Sequence, residues 1–178
     1  RQRRGVPRPL ERGDAIDLVR KLDEAPAQVR APIALMLWCG LRISEARLLR
    51  WSDVGRSEVH VTGKGGAVRR LPIPPPAAAL LAAWRAACPS VRWVVPSPLD
   101  PRRPASDSWL RRHVHQVAGC SPHRLRHTYA TELCELAGVR VAQVALGHAS
   151  LATTAIYTQV RPKGLAHAAS RLYAAQSG

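Results

Sequence analysis

The chain has 178 residues, enough for one domain with a substantial core, and its hydrophobic fraction of 46% and charged fraction of 22% are those of a globular protein. Lys and Arg number 27 against 12 Asp and Glu, and the resulting net charge of +15 predicts a polyanionic partner, with nucleic acid ahead of a membrane surface. The longest apolar stretch, residues 33–41, is far too short to cross a bilayer, which excludes a membrane-spanning role for it.

The chain begins with a basic, proline-containing arm, residues 1–9, and residues 10–178 are predicted to form the folded domain. Three helices are predicted first, because apolar residues recur there at helical spacing and Gly40 ends the second helix. They cover residues 14–25, 28–40 and 43–51.

The spacing of apolar residues then changes from that of a helix to every second residue, as in a strand. Residues 58–73 alternate between apolar and polar on both sides of a glycine-rich turn, which predicts a β-hairpin with Lys64 at its tip. The fold class is therefore α+β and mainly helical, with one small antiparallel sheet in the N-terminal third of the chain.

The remainder is predicted to be helical apart from an extended stretch over residues 91–97 and a proline-rich loop over 98–106. The predicted helices cover residues 74–87, 107–119, 121–138, 139–150, 150–160 and 162–175. The four cysteines are scattered without a C-x-x-C pair, which indicates reduced thiols in a cytoplasmic protein.

"SPHRLRHTYATE", residues 121–132, contains two histidines in one predicted helix. His123 and His127 have the spacing of the helical zinc motif H-E-x-x-H, but Arg124 replaces the glutamate that acts as its general base. A zinc peptidase is therefore the weakest alternative. Arg126 lies within one turn of His123, and an imidazole beside a guanidinium favours a phosphate group between them.

Four segments in chain order resemble the catalytic domain of the tyrosine recombinases, the family of phage integrases and chromosome-resolving recombinases. The segments are "GLRISEARLLRW", "TGKGGAVRRLPI", "HRLRHTYAT" and "LGHASLATTAIYTQV". The resemblance extends over nearly the whole chain from about Leu10. The N-terminal DNA-clamping domain that the family usually carries is absent from this sequence.

The resemblance implies a role for each residue that matches a family motif. Tyr157 corresponds to the nucleophile, Lys64 to the catalytic lysine, and Glu45 to an acidic residue that supports the first arginine. The remaining implied catalytic residues are Arg42, Arg126, His123 and His148. Beyond these, Arg69, Arg70, Arg111, Arg112 and Arg124 are predicted DNA contacts.

The residue types suit phosphodiester transesterification. Tyr157 supplies a phenolic nucleophile that conserves the bond energy as a phosphotyrosine, linked to a 3′-phosphate as the family resemblance implies. Two arginines neutralise the non-bridging oxygens, and histidines orient or transfer protons. The sequence contains no cluster of aspartates to hold magnesium, so we expect a reaction without metal or other cofactor.

Lys64 is distinguished by composition as well. Only three of the 27 basic residues are lysines, namely Lys21, Lys64 and Lys163. Arginine does not release a proton near neutral pH, whereas a lysine beside other cations can. A lysine retained at a hairpin tip in such a chain therefore suggests a need for a transferable proton.

The sequence predicts a site-specific recombinase that acts on double-stranded DNA at defined sites, for integration and excision of a phage or mobile element. A recombinase that resolves chromosome or plasmid dimers is the main alternative. More distant alternatives are a non-catalytic basic DNA-binding module and a type IB topoisomerase-like enzyme. The resemblance also implies assembly into a tetramer on DNA through the C-terminal segment, for which packing on its own domain is the alternative.

Overall fold

The computed structural model describes residues 9–63, 66–90, 92–147, 170, 173 and 174. Seven helices and one hairpin occur within these residues. In chain order they are α1 (Arg12–Glu24), α2 (Ala27–Trp38), α3 (Ile43–Arg47), β1 (Glu58–Thr62), β2 (Val68–Pro72), α4 (Pro75–Ala87), α5 (Asp107–Ala118), α6 (Pro122–Ala137) and α7 (Val139–Leu146). The predicted fold class, mainly helical with a small antiparallel sheet, is confirmed.

Helix α2 lies at the centre of the core. After Arg30 its residues are apolar on all sides, as expected of a helix surrounded by protein, and every residue from Ala31 to Trp38 is buried. It packs against α3, α4, α5 and α6. The short α3 that follows is thereby held against the middle of the molecule.

Helix α3 is shorter than predicted. It ends at Arg47, and a single 3₁₀ turn follows at Trp51–Asp53. The intervening backbone bonds instead to the extended residues after α4: the Trp51 N–H donates to the Arg92 carbonyl at 2.9 Å, and the Val94 N–H donates to the Leu49 carbonyl at 3.0 Å. Tertiary hydrogen bonds thus replace the last predicted turn of helix.

The two strands form the predicted hairpin. Val59 pairs with Leu71 and Val61 with Arg69 in an antiparallel register. Val59, Val61 and Leu71 are buried, so the sheet face that they share with Arg69 is directed to the interior. Lys64, which follows β1 in the sequence, lies outside the described residues.

Helices α6 and α7 pack against each other, and α7 also contacts β2. Helix α6 begins where predicted: the Ser121 hydroxyl accepts the Arg124 N–H as an N-cap, and Pro122 occupies the first turn. The predicted helix over residues 150–160 lies outside the described residues.

The C-terminal segment is described at three residues. Ser170, Tyr173 and Ala174 are helical, and the Tyr173 ring packs edge-on against Trp38 with 5.5 Å between centroids. In this chain Tyr173 therefore contacts its own domain. None of the helices in the described part of the chain is long and apolar enough to cross a membrane.

Candidate active site

The start of α3 joins Arg42 to Glu45. The backbone N–H of Arg42 donates to Glu45 Oε2 at 2.7 Å, and Arg42 Nη1 donates to Glu45 Oε1 at 2.8 Å. The first bond is the carboxylate half of a capping box, so the helix start itself places the two side chains together. The Arg42 side chain remains 39% exposed, whereas that of Glu45 is 8% exposed.

Arg126 reaches the same point from α6. Its Nη1 donates to the Gly40 carbonyl and lies 3.8 Å from Glu45 Oε2. Gly40 has a φ of +67°, and a Cβ at that position would overlap the buried Tyr129 ring, so only glycine fits between α6 and the turn that carries Arg42. The sequence "GLR" thus has a packing reason as well as a chemical one.

Arg69 completes the cluster from β2. Its Nη1 and Nη2 donate to the two carboxylate oxygens of Glu45 at 3.0 and 2.7 Å, the parallel fork that guanidinium and carboxylate favour. Its Nε donates to the Ala145 carbonyl at 3.0 Å, and Arg126 Nη2 donates to the Leu146 carbonyl at 2.7 Å. We refer to Arg42, Glu45, Arg69 and Arg126 as the arginine cluster.

The arginine cluster has an excess of two positive charges, because three guanidinium groups surround one carboxylate. Burial would raise the pKa of the Glu45 carboxyl, but hydrogen bonds from Arg69 and Arg42 outweigh burial and lower that pKa to about 2. Burial, with the nearby charge of Arg42, lowers the pKa of Arg126 to about 10. Glu45 and Arg126 are therefore both charged at neutral pH, and the net positive cluster is suited to an anion.

His123 lies on the first turn of α6, three residues before Arg126, and its side chain is exposed. Within the described residues no hydrogen bond or ion pair joins it to the arginine cluster. Lys64, His148 and Tyr157 lie outside the described residues. His148 comes two residues after Leu146, whose carbonyl Arg126 holds.

Four other predicted DNA contacts lie on different surfaces. Arg70 is 72% exposed and 3.8 Å from Glu58, Arg111 forms an i,i+4 pair with Asp107, and Arg112 is exposed on the same helix. Arg124 on α6 contacts the segment before α1 and α1 itself, with Nη2 3.4 Å from the Pro9 carbonyl and 3.8 Å from Asp14 Oδ2. Arg69, predicted together with Arg70, has a side chain only 13% exposed.

The sequence analysis did not predict the ion pair between Arg69 and Glu45, although the alternation of side chains along a strand indicates that Arg69 points inwards. Residues 69 and 71 share one face of a strand, and the apolar Leu71 predicts that this face is buried. In the ranges that the structure describes, no group of three His, Cys, Asp or Glu side chains could hold a metal ion.

Comparison with known proteins identifies the family. The sequence pattern of the phage integrase family matches residues 10–163. The chain belongs to that family. It is 37% identical over 179 residues to the tyrosine recombinase XerC of Mesorhizobium japonicum, an alignment that covers 90% of this chain and 57% of the relative.

Solved structures agree with this assignment. The integrase from mycobacterium phage Brujita superimposes with a TM-score of 0.74 at 28% identity, covering 97% of this chain and 60% of that one. The XerH site-specific recombinase bound to difH substrate, in a pre-cleavage complex, gives a TM-score of 0.70 at 25% identity over 94% of this chain and 55% of that one. The chain thus spans somewhat more than half the length of the proteins that it matches.

Proposed function

We propose that this chain is the catalytic domain of a site-specific DNA recombinase, which cleaves and rejoins DNA strands through a covalent 3′-phosphotyrosine intermediate. The observation that carries the proposal is the arginine cluster: two arginines implied by the family motifs, together with Arg69, converge on one buried carboxylate, and the cluster has two positive charges in excess. A phosphodiester is the anion that such an arrangement would hold.

The reaction follows from the residues. The Tyr157 phenolic oxygen attacks phosphorus, its proton passes to or is oriented by His123, and the bond from phosphorus to the 5′-oxygen breaks. Lys64 gives a proton to the departing 5′-oxygen. Arg42 and Arg126, with His148 as a further donor, stabilise the charge that develops on the non-bridging oxygens. Religation is the reverse sequence, so no bond energy is lost and no external energy source is needed.

Arg42 is suited to direct contact with the phosphate. Its Nη1 is committed to Glu45, but its side chain is 39% exposed and no other side-chain partner is found in the part of the chain that the structure describes. Nε and Nη2 are thus available to an anion. Arg126, whose two terminal nitrogens already hold carbonyls, contributes charge and one remaining hydrogen on each nitrogen.

Double-stranded DNA at specific sites is the proposed partner, reached in the cytoplasm. The net charge of +15 and the exposed arginines Arg70, Arg111 and Arg112 support a phosphate-binding surface. Arg124, already bonded near α1, would contribute to that surface only at the rim. Assembly into a tetramer through the C-terminal segment is part of the proposal, with Tyr173 released from Trp38 as the segment moves to a neighbour.

A trapping experiment tests the chemistry. The chain would be incubated at low salt with a pool of duplexes that carry randomised arms and a nick close to the scissile position, so that the short 5′-leaving strand diffuses away. Protein–DNA species that survive denaturing gel electrophoresis are then counted. We expect adducts from the unmodified chain and none from Tyr157→Phe, which should still bind the pool with unchanged affinity because only the nucleophilic oxygen is lost.

Two results would overturn the proposed function. One is binding to the pool without any adduct; this would favour the non-catalytic DNA-binding module. The other is adduct formation that persists in Tyr157→Phe. Tyr129 is a poor substitute nucleophile, because its side chain is buried and burial raises the pKa of its hydroxyl.

Resolution of chromosome or plasmid dimers is a second candidate, which the similarity to proteins named XerC supports. The two functions differ in the sites that are joined. Sequencing of recombinant products in cells would give two identical sites for a resolving enzyme and two different sites for an integrase. We expect the second outcome; products only between identical sites would assign the chain to resolution.

A further inference from the structure

Arg69 and Arg70 are neighbours in the sequence but lie on opposite faces of β2. The register that pairs Val61 with Arg69 directs the Arg69 side chain to the interior, where 13% of it is exposed, and leaves 72% of the Arg70 side chain exposed. Arg70 can therefore contact a phosphate on the outer surface of the protein, whereas Arg69 can act only within the arginine cluster.

All three nitrogens of the Arg69 guanidinium are already occupied. The fork to Glu45 uses both terminal nitrogens, and Nε holds the Ala145 carbonyl in the last turn of α7. Arg69 therefore connects three elements, namely β2, α3 and α7. In the sequence, β2 follows Lys64, α3 follows Arg42 directly, and α7 ends two residues before His148.

The fork also determines which charges remain free for a substrate. Glu45 accepts two hydrogen bonds from Arg42 and two from Arg69, while Arg126 stays 3.8 Å away. Without Arg69 the carboxylate would have only Arg42 and Arg126 as counterions and would draw them from the substrate. Arg69 thus neutralises Glu45 so that the other two arginines can face a phosphate.

The contact with the end of α7 is close, so a side chain at Gly147 would displace Arg69 by a few tenths of an ångström. Gly147 has a φ of +58°, and a Cβ there would lie 3.2 Å from Arg69 Cδ and 3.3 Å from its Nη1. Gly147 is the residue immediately before His148. The Arg69 side chain therefore packs closely against the backbone at Gly147.

We propose that Arg69 is a positioning residue of the reaction centre, which holds Glu45 and the end of α7 in place for Arg42 and His148 and makes no contact with DNA. This inference rests on the proposed strand-cleaving function. It replaces the surface role that the basic pair Arg69–Arg70 suggests with two separate roles, one on each face of the strand.

The first experiment compares Arg69→Ala and Arg69→Lys with Arg70→Ala. Each variant is measured for affinity over a range of salt concentrations and for the single-turnover rate of adduct formation at saturating DNA. Arg69→Ala should lower that rate by on the order of 10- to 100-fold. Its affinity and salt slope should stay as in the parent chain. Arg70→Ala should instead weaken affinity and reduce the salt slope by about one.

Arg69→Lys distinguishes geometry from charge. A lysine keeps the positive charge but cannot form the fork and the bond to Ala145 together, so we expect its rate to remain far below that of the parent. If Arg69→Lys forms the adduct at the parent rate, the positive charge alone is sufficient and the proposed positioning role is wrong. If Arg69→Ala lowers the salt slope as Arg70→Ala does, Arg69 contacts DNA and the proposal is wrong.

A pH profile separates positioning from a general loss of structure. The groups facing Glu45 are Arg42 on its own helix, Arg69 on β2 and Arg126 on α6. Loss of Arg69 removes the strongest cause that lowers the pKa of Glu45, so that pKa should rise. A protonated Glu45 no longer attracts Arg42 and Arg126 away from the substrate, so the rate of Arg69→Ala relative to the parent should partly recover as pH is lowered from 7 to about 4.5. A constant ratio would contradict the proposal.

Gly147→Ala gives an independent test should Arg69→Ala fold poorly. It leaves Arg69 in the chain but pushes its stem, so we expect a lower rate with unchanged salt slope; a parent-like rate would contradict the proposal. The parent chain and Tyr157→Phe accompany every series. If the parent chain forms no adduct, the proposed function and this inference both fail. If the parent chain forms the adduct and the Arg69 and Gly147 variants form it at the same rate, only this inference fails.

Discussion

Arginines in the buried cluster differ from those on the outer face of α5, although both sets belong to one basic protein. Arg126 and Arg69 have side chains 7% and 13% exposed, and each holds a backbone carbonyl as well as lying near Glu45. Arg111 and Arg112 on α5 are exposed, and the first forms only an i,i+4 pair with Asp107.

Net charge therefore does not by itself locate a functional arginine. A buried guanidinium must have nearly all its donors paired, because an unpaired charge is costly away from water, so its position is specified by the fold. An exposed guanidinium keeps its rotamer freedom and its water, and contributes to DNA binding mainly through charge. Removal of one from each set should therefore have effects of a different kind.

The largest effect is expected for Arg126→Met, which retains side-chain volume but removes all donors. The Gly40 and Leu146 carbonyls would lose their partners and Glu45 a nearby counterion, at a cost of about 2 to 5 kcal/mol in the free energy of unfolding. Adduct formation should be abolished, because the positive charge with which Arg126 would stabilise the phosphate is also lost. Urea unfolding and the trapping assay measure the two effects.

Arg112→Met is the matched control for that experiment, since the side chain is exposed on α5. Its free energy of unfolding should change by less than about 0.5 kcal/mol. An equal loss of stability in both variants would mean that burial does not distinguish the two sets of arginine.

The next effect separates charge from proton transfer. Lys64→Ala should slow cleavage by roughly 100- to 10,000-fold, because the departing 5′-alkoxide leaves poorly without a proton. With sulfur in place of the bridging oxygen the leaving group needs no proton, so Lys64→Ala should cleave that substrate nearly as fast as the parent. Arg42→Ala should not be rescued, since its defect lies at the non-bridging oxygens.

Lys64→Arg sharpens the same experiment. Guanidinium keeps the charge but does not give up its proton, so this variant should behave like Lys64→Ala on the ordinary substrate. Full activity of Lys64→Arg, or failure of sulfur to rescue Lys64→Ala, would reduce Lys64 to a phosphate contact.

A smaller effect concerns acid stability. The folded pKa of Glu45 is about 2, below the value of about 4.3 in an unfolded chain. Because the folded pKa is depressed, the stabilisation is complete above the unfolded pKa and is lost as pH falls towards 2, by on the order of 3 kcal/mol. Glu45→Gln should remove that part of the dependence, measured by urea unfolding between pH 5 and pH 2.5. Parallel curves for both proteins would show that the cluster does not depend on the carboxylate charge.

The sequence was sufficient for the fold class, for the helix starts with strong local signals and for the hairpin. Ser121 and Pro122 fix the start of α6 locally, and the alternation in residues 58–73 fixes the strands. The end of α3 was wrong by several residues, because hydrogen bonds to residues 92–94 compete with the helix. Such competition depends on contacts distant in sequence.

The candidate site was predictable to the extent that motifs name residues. Arg42, Glu45 and Arg126 come together in the structure, and the family resemblance already implied that Glu45 supports Arg42. The contacts of Arg69 depend on the strand register and on the position of α7, which no segment of the sequence contains alone. The two predicted DNA contacts Arg69 and Arg70 lie on opposite faces of the strand, as strand alternation requires.

The smallest predicted effect tests the exposed set directly. Arg112 has no ion-pair partner among the described residues, whereas Arg111 is partly neutralised by Asp107 at 2.5 Å. If α5 faces DNA, Arg112→Ala should lower the salt slope of binding by about one and Arg111→Ala by less, because a paired arginine releases fewer counterions. Asp107→Asn should then strengthen binding at low salt, by freeing Arg111 while the Ser106 cap keeps the helix start. Unchanged slopes in all three variants would place the DNA on another face of the molecule, and Arg70 would become the first residue to examine there.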